Sequence, residues 1–176
     1  MSKLALAANI LTCSPRWHLI NAKRVPVGRV AQKAAHLILG KHKPIYHPAL
    51  DIGDCVVVIN SNLVGFCGKK WKEKKYYKHS GYPGGLQVWT AEQLHEKKPT
   101  ELIRKAVWGM LPSNALRYKM MKRLFIFIDD KHPFEQNIDS KVHLEQKANA
   151  TYSPKIVKAK LANLSWDDIN EDGSIF

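Results

Sequence analysis

The sequence predicts an α/β fold, and three stretches carry that expectation. Residues 55–60 read CVVVIN, a β-branched run without polar alternation, as expected of a strand covered on both faces. Residues 27–39 place Val30, Ala31, Ala34, Leu37 and Ile38 near the helical period, ahead of Gly40, where a helix-ending glycine belongs. Residues 124–129, LFIFID, read as a last buried strand. A strand, a helix and a second buried strand spell a right-handed crossover unit.

In chain order, the opening MSKLALAANILTCSPR is basic, acid-free and faintly amphipathic. It reads equally as an organelle-targeting leader or as a frayed N-terminal arm, and it is too polar for a good secretory signal. Residues 17–22 (WHLINA) predict the first strand, and Pro26 with Gly28 break the chain before the first helix. Lys41, His42 and Lys43 follow Gly40 at once, where cations are locally favourable near a helix C-terminus. Pro44 and Pro48 keep the next segment irregular. Residues 62–66, 75–78 and 86–89 are candidate extended pieces. Thr90 and Gln93 outline a capping box for a short helix. Thr100 is the expected N-cap of a stronger helix, whose apolar face is Leu102, Ile103, Ala106, Val107 and Met110. Pro112 ends it. Ser113 is the expected cap of the next helix, which turns Leu116 and Met120 inward and puts Arg117, Lys119, Lys122 and Arg123 on its outer flank. Beyond Asn137 the hydrophobic order thins, and the chain ends in the acidic WDDINEDGSIF. Residues 138–176 therefore read as an extension of one or two short helices with a protein-facing or periphery-facing role, a fold-back onto the chain's own sheet being the alternative.

Length and charge bound the function. The 176 residues suffice for one sizeable core, with 45% apolar residues and a formal charge of +13. Residues 1–123 hold 22 Lys and Arg against 6 Asp and Glu, a net of +16. Residues 124–176 hold 6 against 9, a net of −3. The front of the chain is a polyanion-binding body. Three cysteines, Cys13, Cys55 and Cys67, fall at no ligand-like spacing and argue against a disulfide framework. No run approaches the roughly 18 apolar residues of a membrane span.

The charge concentrates in residues 67–85, CGKKWKEKKYYKHSGYPGG. Lys69, Lys70, Lys72, Lys74, Lys75 and Lys78 occupy six of ten positions against one acid, Glu73. Trp71, Tyr76, Tyr77 and Tyr82 are interleaved with them, and His79 precedes a glycine-rich turn. Rings and cations together suit bases and phosphates, and the glycines let a backbone approach a ligand closely. Trp71 is expected to be partly packed on the sheet and Tyr82 to lie on the RNA side. His42, His47 and His79 read as phosphate or base contacts. Catalytic signatures are absent: there is no P-loop and no nucleophile elbow, and no second acidic cluster pairs with Asp51 and Asp54 for metal work. Cys13 and His18 make a weak pair without partners, so neither metal nor cofactor is expected.

Four blocks then line up in order: GKHKPIYHP with Asp51-Ile52-Gly53-Asp54, GKKW, YYKHSGYPGG, and GMLP with Asn114 and a basic helix. From about residue 17 to 137 the chain resembles the thirteenth protein of the bacterial-type large ribosomal subunit. The resemblance implies a three-layer α/β/α domain around a mostly parallel four-stranded sheet, and binding to large-subunit ribosomal RNA early in assembly without catalysis. It places RNA-facing positions at Arg29; at Lys41, His42 and Lys43; and at Lys69, Lys70, Trp71, Tyr76, His79 and Tyr82, to which the charge pattern adds Lys74, Lys78, Arg117, Lys119, Lys122 and Arg123 as RNA-binding candidates. Arg117 stands where the family often has glycine, which suggests a new phosphate contact. Asn21 replaces an aspartate and Cys67 a threonine. The division that follows is 1–16 as arm or leader, 17–137 as RNA-binding domain and 138–176 as C-terminal extension. Extra length at both ends implies an organellar, mitochondrial member, with chloroplast and bacterial origins as alternatives. Neighbouring large-subunit proteins are the other implied partners. A free RNA-binding regulatory or assembly factor is the competing reading, and a nucleotide-processing enzyme a distant third.

Overall fold

The computed structural model describes residues 14–142, 144, 150 and 151. The start of the expected leader, with Cys13, and the acidic end of the extension lie outside the described residues.

Four strands form the central sheet: β1 (Trp17–Asn21), β2 (Cys55–Ile59), β6 (Leu124–Ile126) and β7 (Ser140–Val142), in the order β6-β2-β1-β7. All three pairings are parallel, with Ile20 opposite Val58 and Val142, and Val58 opposite Ile126. The expected three-layer α/β fold with a mostly parallel sheet flanked by helices is observed. The fourth strand lies beyond residue 137, within the stretch read as an extension. Its three residues, SKV, are only partly covered, so it carried little hydrophobic signal.

Helix α1 (Val27–Leu39) joins β1 to β2 and stops where expected. Gly40 adopts φ 74°, and the backbone N–H groups of Gly40 and Lys41 bond back to the Leu37 and His36 carbonyls. α1 packs on α4 (Pro99–Met110). Period-2 alternation sends Ile20, Val56, Val58 and Leu124 to one face of the sheet, where they join Val30, Ala34 and Ile38 of α1 and Leu102, Ile103 and Val107 of α4. Each side chain this size contributes about 1.5–3 kcal/mol by leaving water. The opposite face carries Trp17, stacked on Phe134 at 4.9 Å between ring centroids, and Phe125, tilted against Phe134 at 4.7 Å.

Between β2 and α4 the chain builds a second unit. A 3-10 turn (Ser61–Leu63) and β3 (Phe66–Cys67) lead to a single helical turn, α2 (Lys70–Glu73). β4 (Lys75–His79) and β5 (Leu86–Thr90) then pair antiparallel as a separate two-stranded hairpin. The expected capping box is formed: Thr90 Oγ accepts from the Gln93 N–H, and the Gln93 side chain accepts from the Thr90 N–H, opening α3 (Ala91–Lys97). β8 (Ala150–Thr151) pairs antiparallel with β3.

Two caps differ from expectation. Pro99, not a residue after Thr100, opens α4, because proline at the first helical position gives up only an N–H that would be unpaired there anyway. α5 (Leu116–Met121) starts after Ala115 without a side-chain cap; just ahead of it Asn114 Oδ1 accepts from the Arg117 N–H at 3.1 Å, and the Ser113 hydroxyl accepts from the Arg117 guanidinium instead of capping the helix.

Candidate nucleic-acid interface

The basic residues divide into groups that the fold uses internally and groups that it leaves to solvent. The internal group gathers on Asp54, which is completely buried just ahead of β2. Its Oδ1 accepts from the Lys43 ammonium at 2.6 Å and from the Arg16 N–H at 3.0 Å. Its Oδ2 lies 2.9 Å from His18 Nε2 and 2.8 Å from His42 Nε2. Lys43 also donates to the Ile52 carbonyl at 2.9 Å. Burial alone would raise the Asp54 pKa, but the hydrogen bonds from Lys43, His18 and the Arg16 N–H outweigh it and hold the carboxyl below its ordinary value. For His42, burial lowers the pKa by more than the Asp54 charge restores.

His18 extends the cluster to the edge strand. Its Nδ1 lies 2.5 Å from Ser140 Oγ. With Nε2–H donating to the carboxylate, a neutral His18 accepts at Nδ1 from the serine hydroxyl. Ser140, His18 and Asp54 thus form a relay that ties β7 through β1 to the start of β2. No short motif contains it, since His18 and Asp54 stand 36 residues apart and His18 and Ser140 stand 122 apart.

Close by, Arg123 pairs with Asp51, and Gly53 makes that approach possible. A β-carbon on Gly53 would lie 1.6 Å from the Ile38 carbonyl oxygen and 2.6 Å from the Arg123 guanidinium. Residues 41–43, 51–54 and Arg123 are therefore one assembly. Lys41 is exposed on it, whereas Lys43 and Arg123 are turned toward carboxylates.

Arg117 is also engaged within the chain. It donates from Nε to the Pro112 carbonyl at 2.9 Å and from a terminal nitrogen to the Leu111 carbonyl at 2.7 Å, with its guanidinium over the Trp108 ring at 4.8 Å. It closes the C-terminal end of α4, where a cation meets bare carbonyls. Lys119 and Lys122 on α5 are exposed, and Arg29 on α1 is half-buried.

The hairpin contrasts with these. Lys69, Lys70, Lys72, Lys74, Lys75, Lys78 and His79 are all exposed. Among the described residues no carboxylate forms an ion pair with any of the six lysines. Trp71 is buried, packed edge-on against Phe66 at 4.8 Å and near the His95 ring. Its ring anchors the base of the unit and presents almost no surface to a ligand. Tyr76 faces the protein, with Lys74 and Lys105 over its ring at 5.6 and 5.5 Å. Tyr82 is 77% exposed at the tip. The tip is ordered by its own backbone: Gly85 donates to the Tyr82 carbonyl, Ser80 to the Gly85 carbonyl, and Gly81 to His79 Nδ1. Gly81 and Gly84 supply the positive φ values this turn requires.

An ordered, cationic hairpin with an exposed ring at its tip can hold phosphates and stack an unpaired base. Among the described residues no helix is long and apolar enough to cross a membrane.

Comparison with known proteins agrees in reach and in kind. The sequence model of the family described as Ribosomal protein L13 matches residues 15–133. The large ribosomal subunit protein uL13m of Schizosaccharomyces pombe is 48% identical over 128 residues, which cover 72% of this chain and 82% of that protein. The large ribosomal subunit protein uL13 of Trichlorobacter lovleyi is 45% identical over 124 residues, 70% of this chain and 87% of that protein. Its namesake from Syntrophobacter fumaroxidans is 40% identical over 139 residues, 79% and 98% respectively.

Proposed function

The chain belongs to the ribosomal protein L13 family, and from that premise we propose that it is a structural constituent of the large ribosomal subunit, binding and organising large-subunit ribosomal RNA during assembly. It is a ribosomal protein and not an enzyme. The observation that carries the RNA reading is the row of six exposed lysines at 69–78, none of which pairs with a carboxylate among the described residues. Such a cluster repels itself until an anion neutralises it, and a phosphate backbone supplies anions at matching density. Exposed Lys41, Lys119, Lys122, His79 and Tyr82 are the further contacts we assign to RNA. Neighbouring large-subunit proteins are the second class of partner, for which exposed Met110 and Tyr118 offer apolar surface.

Sedimentation of the tagged protein through a high-salt gradient tests the assignment. The protein travels with large subunits if it is a structural constituent. Its release to the top of the gradient, with RNA binding retained by the isolated chain, would favour a free RNA-binding factor instead.

We assign it to a mitochondrial ribosome on the basis of the basic, acid-free first 16 residues. A fluorescent protein carrying residues 1–16 should enter mitochondria. Diffuse fluorescence, or import into chloroplasts, would overturn that placement.

A further inference from the structure

We propose that His18, His42 and Asp54 form a binding site for one divalent transition-metal ion of the zinc class. In sequence, His18 had no partner; in the fold it has two. Asp54 Oδ2 lies 2.9 Å from His18 Nε2 and 2.8 Å from His42 Nε2, and the three atoms all fall within 4.8 Å of one another. Tetrahedral zinc at its usual bond lengths keeps nitrogen and oxygen ligands about 3.4 Å apart, so the two contacts need to open by roughly half an ångström. Two imidazoles and a carboxylate are a common zinc donor set, with a water in the fourth position.

The surroundings divide the carboxylate in a way that suits this role. Lys43 and the Arg16 N–H hold Oδ1, which fixes the group and leaves Oδ2 toward the imidazoles. The Lys43 ammonium and the ion therefore sit on opposite oxygens of one shared anion. Ser140 supplies the outer contact that a ligating histidine needs. Binding shifts the His18 proton from Nε2 to Nδ1, and the Ser140 hydroxyl turns from donor to acceptor without moving away. The His42 side chain is 29% exposed, so it gives the ion a path from solvent and can lose its proton from Nε2 and take one at Nδ1 from water. Because Ser140 belongs to β7, an ion here would also clamp the edge strand to β1 and to the start of β2.

The test is titration of the RNA-free, full-length protein with Zn2+ by calorimetry, and with Co2+ by visible absorption. One equivalent should bind, Co2+ should develop the intense bands of a four-coordinate site, and Zn2+ should raise the melting temperature by mass action. His42→Ala, at a solvent-facing position, should keep the fold by circular dichroism and lose the metal-dependent rise in melting temperature. Ser140→Ala should weaken binding by about 10- to 100-fold, the usual cost of losing an outer-shell partner. His79→Ala, on the separate hairpin, should leave Zn2+ binding unchanged. Failure to bind one equivalent, or binding that His42→Ala leaves intact and His79→Ala removes, would overturn the site. Either result leaves the RNA reading untouched, because the lysines that carry it are elsewhere.

Discussion

The Asp54 assembly and the hairpin are both rich in cations, yet they treat charge in opposite ways. Around Asp54 every cationic group that points inward has an acceptor, and the carboxylate itself is saturated with donors. In the basic stretch 69–78 no carboxylate among the described residues pairs with the lysines, and Lys74 alone of the six lies over rings, those of Phe66 and Tyr76. Buried charge must be compensated within the fold, whereas exposed charge can wait for a ligand. The number of lysines and arginines in a stretch therefore says less about RNA contact than the number of carboxylates within reach of them. That separates Lys43 and Arg123 from Lys69, Lys70 and Lys78.

The largest effect expected from this contrast is on stability. Asp54→Ala strands Lys43 and two histidines and should cost about 3–5 kcal/mol in urea denaturation. Trp71→Ala, which empties the base of the hairpin unit, should cost a similar amount, about 3–5 kcal/mol. A loss within the roughly 0.5 kcal/mol of ordinary surface changes, for Asp54→Ala, would erase the distinction between the two regions.

Next comes the reverse case. Replacing Lys69, Lys70 and Lys74 together with alanine should leave the melting temperature nearly unchanged but weaken RNA binding about a hundredfold at physiological salt, with the log–log salt slope flatter by about 2–3. Filter binding across a salt series measures both. An unchanged slope would mean that the hairpin lysines do not meet phosphate.

A smaller effect is expected at the tip. Tyr82→Ala should cost about 1–3 kcal/mol of RNA affinity if a base stacks on the ring, with no loss of stability in the free protein. Loss of stability without loss of affinity would make Tyr82 a structural residue and narrow the interface to the lysines.

The smallest expectation concerns pH. His95 is buried against Trp71 and Asn62, and burial holds its pKa below the ordinary value despite a hydrogen bond to the Asn62 carbonyl. The unfolded chain therefore binds the proton more readily. Stability is fully present above about pH 6.5 and declines as pH falls through the lowered folded-state value. His95→Gln should flatten denaturation midpoints in that window. An unaltered pH profile would assign the decline to other groups.

Much of the fold was legible where a local rule had a local cause. The helix ended by Gly40 and the box of Thr90 and Gln93 each depend on residues within one or two turns. The buried run of β2 announced itself through unbroken β-branching. Three features were not legible, for physical reasons. β7 is a short, half-covered edge strand, which needs little hydrophobicity. The role of Arg117 depends on which carbonyls the preceding turn leaves bare. The Asp54 assembly joins side chains separated by 11 to 122 positions, and the parallel sheet brings His18 and Ser140 into register. In residues 67–85 the sequence pointed to the exposed lysines, the exposed Tyr82 and a packed Trp71, but not to Phe66 and His95 as the rings Trp71 packs against.

The place of β7 in the sheet also sets an order of events during synthesis. The hairpin closes through neighbours in sequence, so it can form as soon as it emerges. β1 must wait for a partner about 120 residues later, which at usual elongation rates takes about 6–24 s. Until Ser140–Val142 arrive, β1 presents an open parallel edge, the kind of surface on which nascent chains pair wrongly with one another. A chain whose cationic hairpin is finished first can engage an anionic partner while its sheet is still incomplete.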